Sequence, residues 1–225
     1  PRASRTVPFV SKATSLPVAK IASRVMAGEK LSNFDLRRKN ENTFAVKEAV
    51  FPFNRFPEVD VLLGPEMKST GEVMGVGHDF PSACDKAFLA AGDIIPASGK
   101  VFVSLRTLDR ERLVELGEKL SNQGFEIVAT RTNQEILQNA GLECTMVNKV
   151  SEGSPHIVDL IKNDEISLII SSTEDTQGLE DAAVIRCQAL VHKVPCMTTV
   201  AAAFATLDGL KTHDKMIVRS LQSLH

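Results

Sequence analysis

From Gly99 onward, short runs rich in Val, Ile and Phe alternate with stretches of helical period, and this alternation constrains the fold of the 225-residue chain more than any other feature. The strand-like runs fall at 100–105, 125–129, 144–147, 166–170 and 194–197. Amphipathic helices are expected at 109–122, 133–139, 155–162, 178–192 and 199–208. Gly124 and Gly141 follow helices, where a left-handed residue ends them at little cost. Strands that alternate with helices of this length cannot pair as hairpins. They predict an α/β unit, a five-stranded parallel sheet with helices on both faces. Ligands of such sheets gather at the carboxyl ends of the strands.

The pattern before Gly99 is different. A helix is expected at 16–27, with Ser15 as its cap, Pro17 in its first turn and Gly28 at its stop. Val18, Ile21, Ala22 and Val25 give it one apolar stripe. The polar stretch 31–43 reads as loop, and 46–53 as a strand that Pro52 confines to an edge or an end. Gly64, Pro65, Gly71, Gly75 and Gly77 punctuate what reads as an irregular segment, followed by a helix at 81–91. The turn at 96–99 marks the change of pattern, so two domains are expected, 1–92 and 93–225.

Composition narrows the function. With 43% hydrophobic and 24% charged residues the chain is an ordinary globular one. A net charge of −2 offers no bulk attraction for nucleic acid or an anionic membrane, so any anion site has to be local. No apolar run reaches the ~20 residues of a membrane helix. Tyr and Trp are absent, which removes the usual platforms for stacking single-stranded bases. The four cysteines share no CxxC spacing and the five histidines form no i, i+4 pair, so no metal site is expected. Apolar neighbours suggest buried, reduced thiols.

Residues near or just past each expected strand carry hydroxyls and one ammonium: Ser104, Thr130, Lys149, Ser171-Ser172-Thr173 and Thr198-Thr199. Converging at one edge beside helix N-termini, they would suit a phosphate. Taken singly, each Ser or Thr has a plainer reading as a helix cap. At the other end, Arg2 and Arg5 stand three apart and could turn two guanidinium forks to one oxyanion, or form a solvated basic terminus.

Several stretches carry a resemblance. Pro1–Thr14, Phe51-Pro-Phe-Asn-Arg-Phe-Pro57, the run from Leu63 to Gly75, Val147-Asn-Lys149 through His156-Ile and Val184-Ile-Arg186 resemble the carbamoyl phosphate synthase large-subunit family. The likeness covers essentially the whole chain. It implies the tail of an ATP-grasp α+β domain followed by a methylglyoxal-synthase-like regulatory domain, a C-terminal fragment that begins just after the metal ligands. In that family UMP inhibits and IMP activates from one nucleotide site, and ornithine activates from another. By position the nucleotide site would use Ser104, Arg110, Thr130, Asn133, Lys149, Ser171 and Thr173. Arg110, Asn133 and Ser171 stand where the bacterial pattern has Lys, Thr and Asn. The ornithine site would use Glu48, Phe51 and Thr198. Arg2 and Arg5 match residues that hold the carboxylated or phosphorylated intermediate.

The resemblance further implies Mg2+ or Mn2+ and ATP in the parent enzyme and no cofactor in the fragment. It implies a small glutaminase subunit as partner and leaves room for self-association, with a cytoplasmic location, or plastid stroma for a plant source. Two rivals stand beside this reading. A methylglyoxal synthase acting on dihydroxyacetone phosphate would need a carboxylate base in the pocket, and here Glu174 and Asp175 come only after the hydroxyls. A stand-alone nucleotide-binding module would not explain the ATP-grasp text in residues 1–75.

Overall fold

The computed structural model describes residues 4, 6–37, 42–50, 71–172, 176–213, 216–218 and 220, with 176–179 as backbone only. Arg2, Arg5, Phe51 and Thr173 lie outside the described residues.

The N-terminal part builds a small sheet. Strands β1 (Phe44–Val50) and β2 (Gly71–Gly77) pair antiparallel, with Val46 opposite Gly75. The stretch 71–77 therefore is a strand and not the irregular segment its glycines suggested. The reason is packing: a Cβ on Gly75 would sit 1.9 Å from the Ala83 carbonyl oxygen, and one on Gly77 would sit 2.2 Å from Ser82 Oγ. Bare backbone at these positions lets a helix lie directly on β2. Asp79 caps this helix by accepting from the Ser82 N–H at 2.8 Å, and Gly92, at φ 92°, ends it.

Two helices precede the small sheet, α1 (Thr6–Thr14) and α2 (Val18–Met26), and the helix on β2 is α3 (Phe80–Ala91). The expected helix at 16–27 thus starts later and lacks the Ser15 cap, because Ser15 takes φ 55° between α1 and α2. Helix α1 itself carried no sequence expectation.

Beyond Gly99 the alternation resolves into one parallel sheet of β3 (Gly99–Ser104), β4 (Phe125–Ala129), β5 (Thr145–Met146), β6 (Leu168–Ser171) and β7 (Cys196–Met197). Its spatial order is β5-β4-β3-β6-β7. The helices are α4 (Leu113–Asn122), α5 (Arg131–Asn139), α6 (Ile157–Lys162), α7 (Thr176–Val191) and α8 (Val200–Leu210). Two boundaries move inward. The stretch 107–112 is a 3-10 turn ahead of α4, and α6 begins at Ile157 after the Pro155 turn. The outer strands shrink to two residues each.

The two-residue period of the strands sorts the core into two layers. Val101, Val103, Ile127 and Ile170 face α4, α5 and α8 through Leu116, Leu120, Leu137, Phe204 and Leu207. Phe102, Val128 and Ile169 face α6 and α7 through Ile157, Val158, Ile161, Ile185 and Ala189. Chain order runs outward from β3 to β5, then returns to β6 on the other side of β3. The carboxyl ends of β3 and β6 therefore flank the point where the winding reverses, the place where α/β sheets leave a crevice. Helix α8 also rests on α3, for a Cβ on Gly209 would come within 3.3 Å of Asp85 Cβ.

Cys84 is buried, whereas Cys144, Cys187 and Cys196 are only partly covered, so the expectation of four buried thiols holds for one of them. Burial lifts the Cys144 thiol to about 11. No described helix is long and apolar enough to cross a membrane.

Candidate anion-binding site

At the reversal point lies a cleft of about 190 Å³. Among its walls are Ser104 at the end of β3, Arg110 in the following turn, and Thr130 and Asn133 at the start of α5. Lys149 after β5 and Ser171 at the end of β6 complete that wall. Six of the seven residues that position assigned to a nucleotide site are thereby brought together. Ser171 itself is the last strand residue, paired in register with Ser104.

Local hydrogen bonding shapes the cleft. The Ser172 N–H donates to the Ser104 carbonyl at 2.9 Å, and Ser172 Oγ accepts from the Arg106 N–H at 3.2 Å. Arg110 Nε donates to the Leu105 carbonyl at 3.2 Å, which anchors the guanidinium and leaves its terminal nitrogens without a partner among the described residues. Lys149 is exposed and its ammonium has no ion pair among the described residues, while its own N–H donates to Glu152 Oε2 at 2.9 Å. Helix α5 has no side-chain cap, so its first N–H groups add a positive end to the same cleft.

Two charged groups in or beside the cleft were not foreseen. Arg106 holds Asp109 through Nε at 2.8 Å. Burial by itself raises the Asp109 carboxyl, but hydrogen bonds from Arg106 and Ser172, with the Arg106 charge, outweigh it and keep the group below its ordinary value. Asp181 on α7 accepts from Ser151 Oγ at 3.0 Å and from the Ser151 N–H at 3.4 Å. Arg106 stands two residues past β3, and a longer window at that strand end would have found it. Asp181 lies mid-helix, where no strand-end rule reaches.

The remaining assigned residues sit elsewhere. Glu48 is in β1, and Thr198 follows β7 beside Thr199, whose Oγ1 caps α8 by accepting from the Ala202 N–H at 3.2 Å. No hydrogen bond joins Glu48 to Thr198. Burial lifts the Glu48 carboxyl; the Ala49 N–H works the other way, and nearby Asp93 adds to the lift.

The groove beside α1 is larger but holds less chemistry. It has about 640 Å³ between α1 and β1 and is lined by Phe9, Val10, Phe44 and neighbours, with no Lys, Arg, Asp or Glu among the described residues. The cleft at β3 and β6 is smaller, yet it combines three cations, several hydroxyls and a helix N-terminus, which is the donor set of an oxyanion site.

Comparison with known proteins shows what the chain is similar to. Residues 112–198 match the family described as MGS-like domain. Over its whole length the chain is 50% identical to the carbamoyl phosphate synthase large chain of Pseudomonas syringae pv. tomato, and it spans 21% of that protein's length. The large chain from Pseudomonas aeruginosa gives the same identity, 50%, and the same span of 21%. A solved methylglyoxal synthase from Elizabethkingia anophelis aligns with 50% of this chain and 79% of its own at 18% identity and a TM-score of 0.41.

Proposed function

We propose, from a chain homologous along its full length to the carbamoyl phosphate synthase large chain and carrying an MGS-like domain, that the cleft at β3 and β6 is an allosteric site for a nucleoside monophosphate. The observation that carries this reading is the convergence of Ser104, Arg110, Thr130, Lys149 and Ser171 on one cavity. Arg110 and Lys149 supply fixed positive charge, and the hydroxyls and the α5 amides supply neutral donors. Asp181 adds an acceptor suited to sugar hydroxyls rather than to phosphate.

UMP and IMP are the effectors of this proposal, and residues 93–225 are its regulatory domain. Glu48 and Thr198, with Phe51, form the ornithine site of the same proposal, a carboxylate and hydroxyl for an ammonium group. Residues 1–92 then belong to the carbamoyl-phosphate-forming half, where Arg2 and Arg5 would hold phosphorylated intermediate. The larger enzyme, a ligase using ATP with Mg2+ or Mn2+ and a glutaminase partner, would make carbamoyl phosphate for pyrimidine and arginine synthesis in the cytoplasm or plastid stroma. This chain alone would bind effectors without forming product.

Titration calorimetry of the 225-residue chain tests the reading. UMP and IMP should bind one site, and Lys149→Ala should weaken both by about 1.5–3 kcal/mol, the range for a charge-assisted contact. Unchanged UMP affinity in Lys149→Ala would remove the cleft from consideration.

A further inference from the structure

Asn133 is only 2% exposed, and its amide is occupied in a way that settles which end is which. The Leu105 N–H points at one amide atom, 3.2 Å away, and only the oxygen can accept it. That fixes Nδ2 on the other side, where it reaches the Leu105 carbonyl at 3.4 Å and Thr130 Oγ1 at 3.1 Å. Both amide hydrogens are then used. Thr130 Oγ1 must therefore act as an acceptor toward Asn133, and its own hydrogen has to point elsewhere.

That hydrogen has no acceptor within the described residues. Thr130 precedes α5 but makes no side-chain cap, and at 6% exposure it is largely shielded from bulk solvent. The open direction left to it is the cleft that Thr130 lines. A buried hydroxyl without an acceptor costs free energy until a ligand supplies one.

We propose that Asn133 is a positioning residue: by donating to Thr130 it turns the Thr130 hydroxyl into a fixed hydrogen-bond donor for an anionic oxygen in the cleft. This rests on the phosphate reading of the cleft and refines it, since Asn133 then serves the ligand through Thr130 and makes no contact of its own. The chemistry selects an acceptor such as a phosphate oxygen, and disfavours a ligand group that donates at that spot.

A double-mutant cycle on the intact chain decides it, with UMP as the probe and affinity read by calorimetry. Thr130→Val removes the hydroxyl and keeps the Leu105 latch; it should weaken UMP by roughly tenfold, as for a single charge-assisted hydrogen bond. Asn133→Ala should weaken UMP by a similar factor in the parent, and by less than about twofold in the Thr130→Val background, because coupled residues are non-additive. Equal weakening by Asn133→Ala in both backgrounds overturns the proposal, for it would mean that Asn133 acts only by holding Leu105. If Asn133→Ala does not fold, Asn133→Leu, of similar volume and without a donor, carries the same cycle. Failure of the unmodified chain to bind UMP would overturn the phosphate reading and this proposal together. Binding that depends on Lys149 but shows an additive cycle would overturn this one alone.

Discussion

Nδ1 of His213 lies 3.0 Å from Asp85 Oδ2 and 3.2 Å from Oδ1, so an exposed imidazole past α8 meets a carboxylate that α3 buries. The neighbouring Lys86 Nζ donates to the Val76 carbonyl at 2.8 Å and to the Ile217 carbonyl at 2.7 Å. These contacts tie the segment after the large sheet onto the helix that covers the small one. His213→Ala should cost about 1–2 kcal/mol, because it strips a buried carboxylate of its partner. Asp85→Asn should cost less, and the double variant less than the sum. Urea unfolding at neutral pH would measure this, and an unmoved midpoint in His213→Ala would show the pair to be inert.

Two glycines make opposite predictions. Gly75→Ala drives a Cβ to within 1.9 Å of a backbone oxygen of α3, which no rotamer can relieve. The small sheet and α3 would have to separate, at a cost of at least about 3 kcal/mol. Gly209→Ala meets Asp85 Cβ at 3.3 Å and gains helix propensity, so it should stay within about 1 kcal/mol of the parent. Thermal melts of the two variants should differ widely. Similar melting points would place α3 further from β2 than this geometry allows.

Glu48 gives a pH prediction. Burial raises its folded pKa above the unfolded value, so between the two the folded state binds more protons, and stability from this group rises as pH falls. At neutral pH its charge is a net burden. Glu48→Gln should therefore raise the melting temperature at pH 7 and gain less than the parent as the solution is acidified. Asp109, held below its ordinary value, acts in the opposite sense in both proteins and cancels in the comparison. A parallel pH dependence in parent and variant would contradict the burial of Glu48.

The large sheet was legible because its central strands β3, β4 and β6 are largely apolar on both faces and helices α4 and α5 carry one-sided stripes, two signals that local sequence holds in full. Gly75 and Gly77 misled for a physical reason. Glycine punctuates a loop and permits close packing with the same silence, and only the partner, Ala83 on α3, tells the two apart. Ser104, Thr130 and Lys149 were found because strand ends in this topology share one edge. That Asn133 turns inward to Leu105 was not legible, since it depends on a residue 28 positions away in the chain. Asp181 escaped for a similar reason, because its place in the cleft comes from how α7 lies across the sheet.

The brevity of the two outer strands has its own consequence. A sheet offers other chains its border, and a border is dangerous when it is long, flat and unpaired. Here β5 and β7 each contribute only two residues before the backbone turns away. A foreign strand laid alongside would find a ledge too short to grip. Edge-to-edge growth along the large sheet is thereby disfavoured.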